Sequence, residues 1–280
     1  MRLDHPIFQG VVLDLVELET PAHYRSDYEA ADLPAQMQGW RVQDGEIVKE
    51  IDYGLVSSPF GFEDSPDAEW ISSGVNSKGP HSVALGRHGN FFLWGFAGDP
   101  TQMTASGRKV FLNVLRYMRG FEGRTALVER VARSRESAPR LAHFMRGREQ
   151  DDRTLQYCRQ QFGVDIRQAT ELDPDRLLEH LRLHREHLTQ RRPDGPFQVD
   201  ADLVELDTSN RELAFFEAIA GRLQASPDDE LALRLLDRYA QDLKPPRTAP
   251  SLEAWLAEHR VRLFFSDVGG YRWFLAPNEP

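Results

Sequence analysis

The sequence predicts an α/β protein in which a sheet domain is followed by a mainly helical domain ending in a β-hairpin. Three observations carry this expectation. Two apolar runs, GPHSVALGR and NFFLWGF, hinge on His88-Gly89-Asn90, where glycine can supply the positive φ of a short hairpin loop. From Asp173 onward, DPDRLLEHLRLHREHL, SNRELAFFEAIAGRLQ and SPDDELALRLLDRYAQDL repeat apolar residues at helical spacing behind capping residues. LFFSDVGGYRWFLAP then sets two aromatic runs around Asp267-Val268-Gly269-Gly270, a second hairpin signal.

Taken in order, VVLDLVEL at residues 11–18 alternates and reads as a half-buried strand, and the aromatics after Asn90 read as the interior second strand of the first hairpin. After AGDPTQMT comes a helix with Thr101 or Thr104 as N-cap, whose Val110, Phe111, Val114, Leu115 and Met118 should lie on the sheet. Gly120 and Gly123 mark a break, which places the domains at 1–123 and 124–280. Residues 125–161 read as helical, with Arg130, Arg133, Arg135, Arg140, Arg146 and Arg148 interleaved with Glu129, Glu136 and Glu149 on a solvated face. Asp173, Ser209 and Ser226 are candidate caps, with Pro174 and Pro227 at first-turn positions where a missing N–H costs nothing. KPPRTAP is a connector to a last helix, SLEAWLAEHR.

The charge balance bounds the function. Thirty-four Lys and Arg against 44 Asp and Glu leave a net charge of -10, which argues against a broad phosphate-neutralising surface for nucleic acid but leaves room for a local basic patch. No apolar run approaches the ~20 residues that cross a bilayer, so no membrane partner is expected. Cys158 is the one cysteine, which excludes an internal disulfide and a thiolate metal cage, and its helical context suits a buried thiol better than a nucleophile. The opening MRLDHPIFQG has no charged leader before an apolar core, so the expected location is cytoplasmic, or exported if this is an N-terminally shortened form. No phosphate loop, dinucleotide fingerprint or serine elbow is present, and no cofactor is expected.

Three polar clusters are candidates for chemistry. His180, His184 and His187 have the spacing of one helical face, which suits a metal geometrically, yet the adjacent Leu177, Leu181 and Leu188 make the border of a buried stripe the better reading. Glu63, Asp64, Asp67 and Glu69 surround Pro66, and neighbouring carboxylates can serve as acid and base or hold a hard cation; an acidic turn before a strand is the simpler reading. Asn76, Lys78, His81, Arg87, His88 and Asn90 gather at loop ends beside the first hairpin, where binding residues are commonly carried on a rigid sheet.

DHPIFQG, SVALGRHGNFFLWGF and RKVFLNVLRYMRGF together resemble the last half of a trehalose-utilisation-type (ThuA-like) domain of the class I glutamine-amidotransferase-like fold, over residues 4–121. The resemblance implies a partial amidotransferase-like, flavodoxin-like sheet. Neither nucleophile nor base carries over: the family's cysteine elbow precedes the matched half, and Ala97-Gly98-Asp99 stands where an active amidotransferase has His-Pro-Glu. The later chain resembles helical modules of uncharacterised bacterial proteins that end in a Trp-bearing helix and an aromatic hairpin, here Trp255 and LFFSDVGGYRWF. The expected function is therefore non-catalytic: ligand binding, with a carbohydrate favoured by the resemblance, or protein interaction, including a homo-oligomer through an open sheet edge. Asn76, Lys78, His81, Arg87, His88 and Trp94 are the expected ligand-facing residues, Trp94 by stacking. The competing expectation is a hydrolase of glycosidic or amide bonds using Glu63, Asp64 and Asp67 with His81 or His88.

Overall fold

The computed structural model describes residues 1–19, 34–43, 56–76, 79–96, 100–146 and 151–278. The chain is mixed α and β and divides into two compact units, 1–63 with 67–127 and 64–66 with 128–280.

In the first unit, β1 (Leu15–Glu19) pairs antiparallel with β2 (Gln36–Trp40), from Leu15 opposite Trp40 to Glu19 opposite Gln36. The half-buried strand expected at 11–18 is thus shorter and more exposed: Leu15 and Leu18 remain 43% and 52% accessible, and Val12 lies outside the strand. β3 (Ala68–Asn76), β4 (Gly79–His88) and β5 (Phe91–Trp94) form an antiparallel sheet in that order. The loop at Gly89 is a hairpin, with His88 opposite Phe91. Gly89 has φ +57°, and a Cβ there would stand 2.6 Å from the Ala126 nitrogen, so conformation and space both demand glycine. β5 is not the interior strand expected of it, since Phe91 is exposed and Phe92, Leu93 and Trp94 are only half-buried.

α1 (Ala105–Met118) starts where expected. Thr104 is its N-cap and accepts from the Gly107 N–H at 2.9 Å. Gly107 lets the Val42 carbonyl come close, for a Cβ would lie 2.4 Å from that oxygen. Val110 and Val114 turn inward onto Ile7, Phe8, Ile71 and Leu85, whereas Leu115, expected on the sheet, faces solvent. Asn113 donates to the Ile7 and Gln9 carbonyls at 3.0 and 3.1 Å and so fixes the short 3-10 turn Pro6–Phe8 against the helix.

The second unit contains α2 (Ser137–Arg146), α3 (Asp152–Gln161), α4 (Val164–Thr170), α5 (Pro174–Leu183), the ribbon β6 (Leu188–Thr189) with β7 (Gln198–Val199), α6 (Ala201–Leu206), α7 (Ala214–Ala225), α8 (Glu230–Tyr239), α9 (Ala249–His259) and the hairpin β8 (Leu263–Ser266) with β9 (Arg272–Leu275). One core gathers Met145, Cys158, Phe162, Ile166, Leu181 and Phe197 from α2–α5 and the ribbon. A second gathers Phe215, Phe216, Ile219, Tyr239, Leu252 and Trp273 from α7–α9 and the hairpin.

Several expectations for this unit fail for one reason: distant groups claim the polar atoms. Residues 125–136 are not helical, because Val131 and Ala132 give their N–H groups to the Val268 carbonyl (2.8 and 3.0 Å), Arg133 to Gln190 and Arg135 to Asp267. Arg135, expected on a solvated face, is fully buried. Its guanidinium meets Asp267 at 3.0 Å, the Glu186 carbonyl at 2.8 Å and Asn210 Oδ1 at 2.9 Å. Asp173 caps α5 as expected, but neither Ser209 nor Ser226 starts a helix; Ser226 instead closes α7, its N–H donating to the Arg222 carbonyl at 2.8 Å. Ser209 donates to Glu186 instead, α7 begins at Ala214, and α8 is capped by Asp229, which accepts from Ala232 at 2.8 Å. α5 ends at Leu183, so His180, His184 and His187 do not share one helix.

Strand pairings in every described sheet are antiparallel. A flavodoxin-like sheet is instead built from parallel strands joined by helical crossovers, and the described strands of residues 1–127 do not form one.

Candidate functional site

Three of the six loop-end residues expected to face a ligand, Arg87, His88 and Trp94, have described side chains, and all three meet neighbours within the first unit. Arg87 is 6% exposed and donates to Glu69 at 2.8 Å and to the Gly89 carbonyl at 2.9 Å, with its guanidinium 3.9 Å over the Phe121 ring. Glu69 also accepts from the Tyr117 hydroxyl at 2.6 Å and lies 3.6 Å from His5. Burial pushes the Glu69 carboxyl up, but the hydrogen bonds from Tyr117 and Arg87, together with the Arg87 charge, hold it below its ordinary value. Burial and the Glu69 contact push the Tyr117 phenol up to about 12. His88 stands 3.5 Å from Asp67, and Trp94 packs edge-on to Phe96 and Phe111 at 5.2 and 5.1 Å between ring centres. Asn76 lies opposite Gly79 where β3 and β4 join. Its side chain, Lys78 and the His81 side chain lie outside the described residues.

The members of the acidic cluster have different partners. Asp64 accepts from the Ser266 hydroxyl at 2.8 Å and the Val268 N–H at 3.4 Å, and burial pushes its carboxyl up. Asp67 accepts from the Leu127 N–H at 3.0 Å, Glu69 belongs to the Arg87 network, and Glu63 is not free either. In the histidine row the ring centres are 4.5 Å (His180 to His184) and 6.4 Å (His184 to His187) apart. Burial, helped by His184, lowers the His180 and His187 pKa values. Among the described residues, no group of three or more His, Cys, Asp or Glu could hold a metal ion. Cys158 is buried, and burial pushes its thiol up, away from nucleophilic use.

A cleft in the second unit has different properties. It encloses about 380 Å³, and its walls include Arg191, Arg192, Arg238, Arg272, Tyr239 and Tyr271. The loop between β6 and β7, Gln190-Arg191-Arg192-Pro193-Asp194-Gly195, forms its rim. Gly195 donates to the Arg192 carbonyl at 3.0 Å, and Asp194 takes φ +54°, as a turn with proline in its second position and a left-handed third residue requires. Buried Gln190 anchors this turn from inside. Its Oε1 accepts from the Arg133 N–H at 2.7 Å, and its Nε2 donates to the Gly195 carbonyl. Arg133 gives the same carbonyl a second donor at 3.0 Å and lays its guanidinium 4.6 Å over Phe197.

The four arginines are not equivalent. Arg238 is neutralised by Asp200 and by Asp202 (2.8 Å), and Arg272 by Asp242 (2.7 Å). Arg191 and Arg192 are exposed, and among the described residues their side chains have no ion-pair or hydrogen-bond partner. No carboxylate, imidazole or thiol is among the described residues lining the cleft. Burial pushes the phenols of Tyr239 and Tyr271 well up, Asp200 adding to the effect at Tyr239 and Asp267 at Tyr271. The site can therefore attract and orient an anion.

These arginines were missing from the sequence expectations, although a signal existed. Two adjacent cations abut Pro-Asp-Gly, a turn signal, so they sit on a loop and lack the i,i+4 carboxylates that pair arginines along a helix. No family model, curated protein or solved structure matches the chain.

Proposed function

We propose that the chain acts by recognition rather than catalysis, and that the second unit binds an anionic ligand in the cleft rimmed by Arg191 and Arg192. The observation that supports this most directly is the pair of uncompensated guanidiniums on a turn fixed by buried Gln190. A guanidinium offers a planar fork of donors matched to phosphate or carboxylate. Fixing the loop in advance removes much of the ordering cost that binding would otherwise carry. A net charge of -10 disfavours a long polyanion, so a small basic cleft suits a small anion better.

The hydrolase reading requires two carboxylates, or a carboxylate and an imidazole, facing a shared substrate space. Asp64 and Asp67 are held by separate partners, Glu63 is engaged as well, and the pair Asp67 and His88, 3.5 Å apart, lines none of the described clefts, which disfavours it. The carbohydrate reading of the ThuA-like resemblance relied on Asn76, Lys78, His81, Arg87, His88 and Trp94; of those whose side chains are described, Arg87 is committed to Glu69 and Trp94 is packed among aromatics, which lends that reading no support. The anion cleft is the better supported site.

Calorimetric titration with methylphosphonate and with succinate, at an ionic strength low enough for a Debye length of about 30 Å, tests the proposal. Wild type should bind at least one of them, and Arg191→Gln with Arg192→Gln should weaken that binding about tenfold or more with an unchanged melting temperature. Equal binding by the double variant, or heat from neither anion, would refute the reading.

A further inference from the structure

The cleft does not end at its own walls. A second cleft of about 660 Å³, lined in part by Leu236, Ala240, Gln241, Lys244 and Pro246, shares Gln241 with the first. Its charges are mostly spent internally, since Arg247 pairs with Asp237 and both line it. Lys244 is the exception. Its ammonium is exposed and, among the described residues, has no ion-pair or hydrogen-bond partner. The Gln241 side-chain amide, at the junction of the two clefts, is likewise unengaged among the described residues.

The Lys244 backbone is defined by its turn. It ends the 3-10 turn Gln241–Leu243 in a left-handed conformation, φ +47° and ψ 52°, with its N–H on the Gln241 carbonyl, and two prolines follow. Non-glycine residues in this region are strained and concentrate where function demands a particular geometry. Among the described residues, six take it: Glu171, Leu172, Asp194, Asp207, Lys244 and Tyr271. Three of them build this connected surface: Asp194 in the arginine turn, Tyr271 in the first cleft and Lys244 in the second.

We infer that the ligand is a small molecule with two separated anionic groups, one at Arg191 and Arg192 and the other at Lys244, its neutral middle lying across Gln241. This inference rests on the anion-binding reading of the first cleft and adds the second contact. Leu236, Ala240 and Pro246 give the middle of such a ligand an apolar surface, and the Gln241 amide can donate to it or accept from it. Once one end is held, the other meets Lys244 at a high effective concentration, provided that the spacer matches the span.

A series of alkane-α,ω-bisphosphonates of increasing length, titrated beside methylphosphonate, reads both contacts. One length should bind about tenfold or more tighter than methylphosphonate, clearing the roughly twofold advantage of two equivalent ends. Lys244→Asn, which tolerates the left-handed backbone, should abolish that gain and leave methylphosphonate binding unchanged. The inference is overturned if no length exceeds methylphosphonate, if the gain survives Lys244→Asn, or if heparin outbinds every bisphosphonate. In the first two cases, methylphosphonate binding that still depends on Arg191 and Arg192 leaves the first cleft standing. Loss of that dependence strikes the anion-binding reading itself.

Discussion

Replacing Arg135 by methionine should be among the most damaging single changes in the second unit. The side chain is fully buried and is the principal counter-charge of Asp267, itself 5% exposed. The substitution removes the contacts to both Asp267 oxygens and the donors to Glu186 O and Asn210 Oδ1. Among the described residues, Asp267 would keep the Arg135 backbone N–H at 2.9 Å and the Ser134 hydroxyl at 3.2 Å as hydrogen-bond donors to its carboxylate. Removing one partner of a buried ion pair costs about 3–5 kcal/mol, because the surviving charge stays desolvated. At about 2–4 °C per kcal/mol for a unit of this size, the melting temperature should fall by about 6–20 °C. Asp267→Asn alone should also destabilise, whereas the double variant should cost clearly less than the sum, by about 1.5 kcal/mol or more, since no bare charge remains. Scanning calorimetry with urea unfolding measures all three. A loss under about 1 kcal/mol for Arg135→Met, or strict additivity in the double variant, would refute the view that this pair organises the unit.

Two further tests address other parts of the molecule. The pKa values of His5, His180 and His187 are lowered, chiefly by burial, so the unfolded chain binds more protons than the native one below the ordinary histidine value. Their contribution to stability is complete above about pH 6.5 and is lost as the pH falls below it. Urea midpoints should therefore drop from pH 7.5 to 5.5, and less steeply in His180→Gln with His187→Gln; a slope unchanged by those replacements would contradict the assignment. Thr104→Ala should cost about 1–2 kcal/mol, because it loses the cap to Gly107 and the hydroxyl's bond to the Arg41 carbonyl at 3.0 Å. Thr104→Ser should recover most of that loss in thermal unfolding, and failure to do so would show that the methyl group, not the cap, is what matters.

The sequence by itself determined what neighbouring residues settle among themselves. The Gly89 loop, the Asp267 to Gly270 turn, the cap at Thr104, the cap at Asp173 and the apolar face of α1 through Val110 and Val114 were all legible, because turn conformations and helical periodicity act over a few residues. Only the tertiary structure decided which polar atoms were left over. Arg135 reads as one more solvated arginine until Asp267, 132 residues away, takes it into the core. The same selection turns Ser209 to Glu186, gives Asp64 and Asp67 different partners, and turns Arg87 toward Glu69. Among the described residues, it leaves Arg191, Arg192 and Lys244 without a partner at adjoining clefts. A charge's role depends on whether a partner reaches it through space, and local patterning does not carry that information.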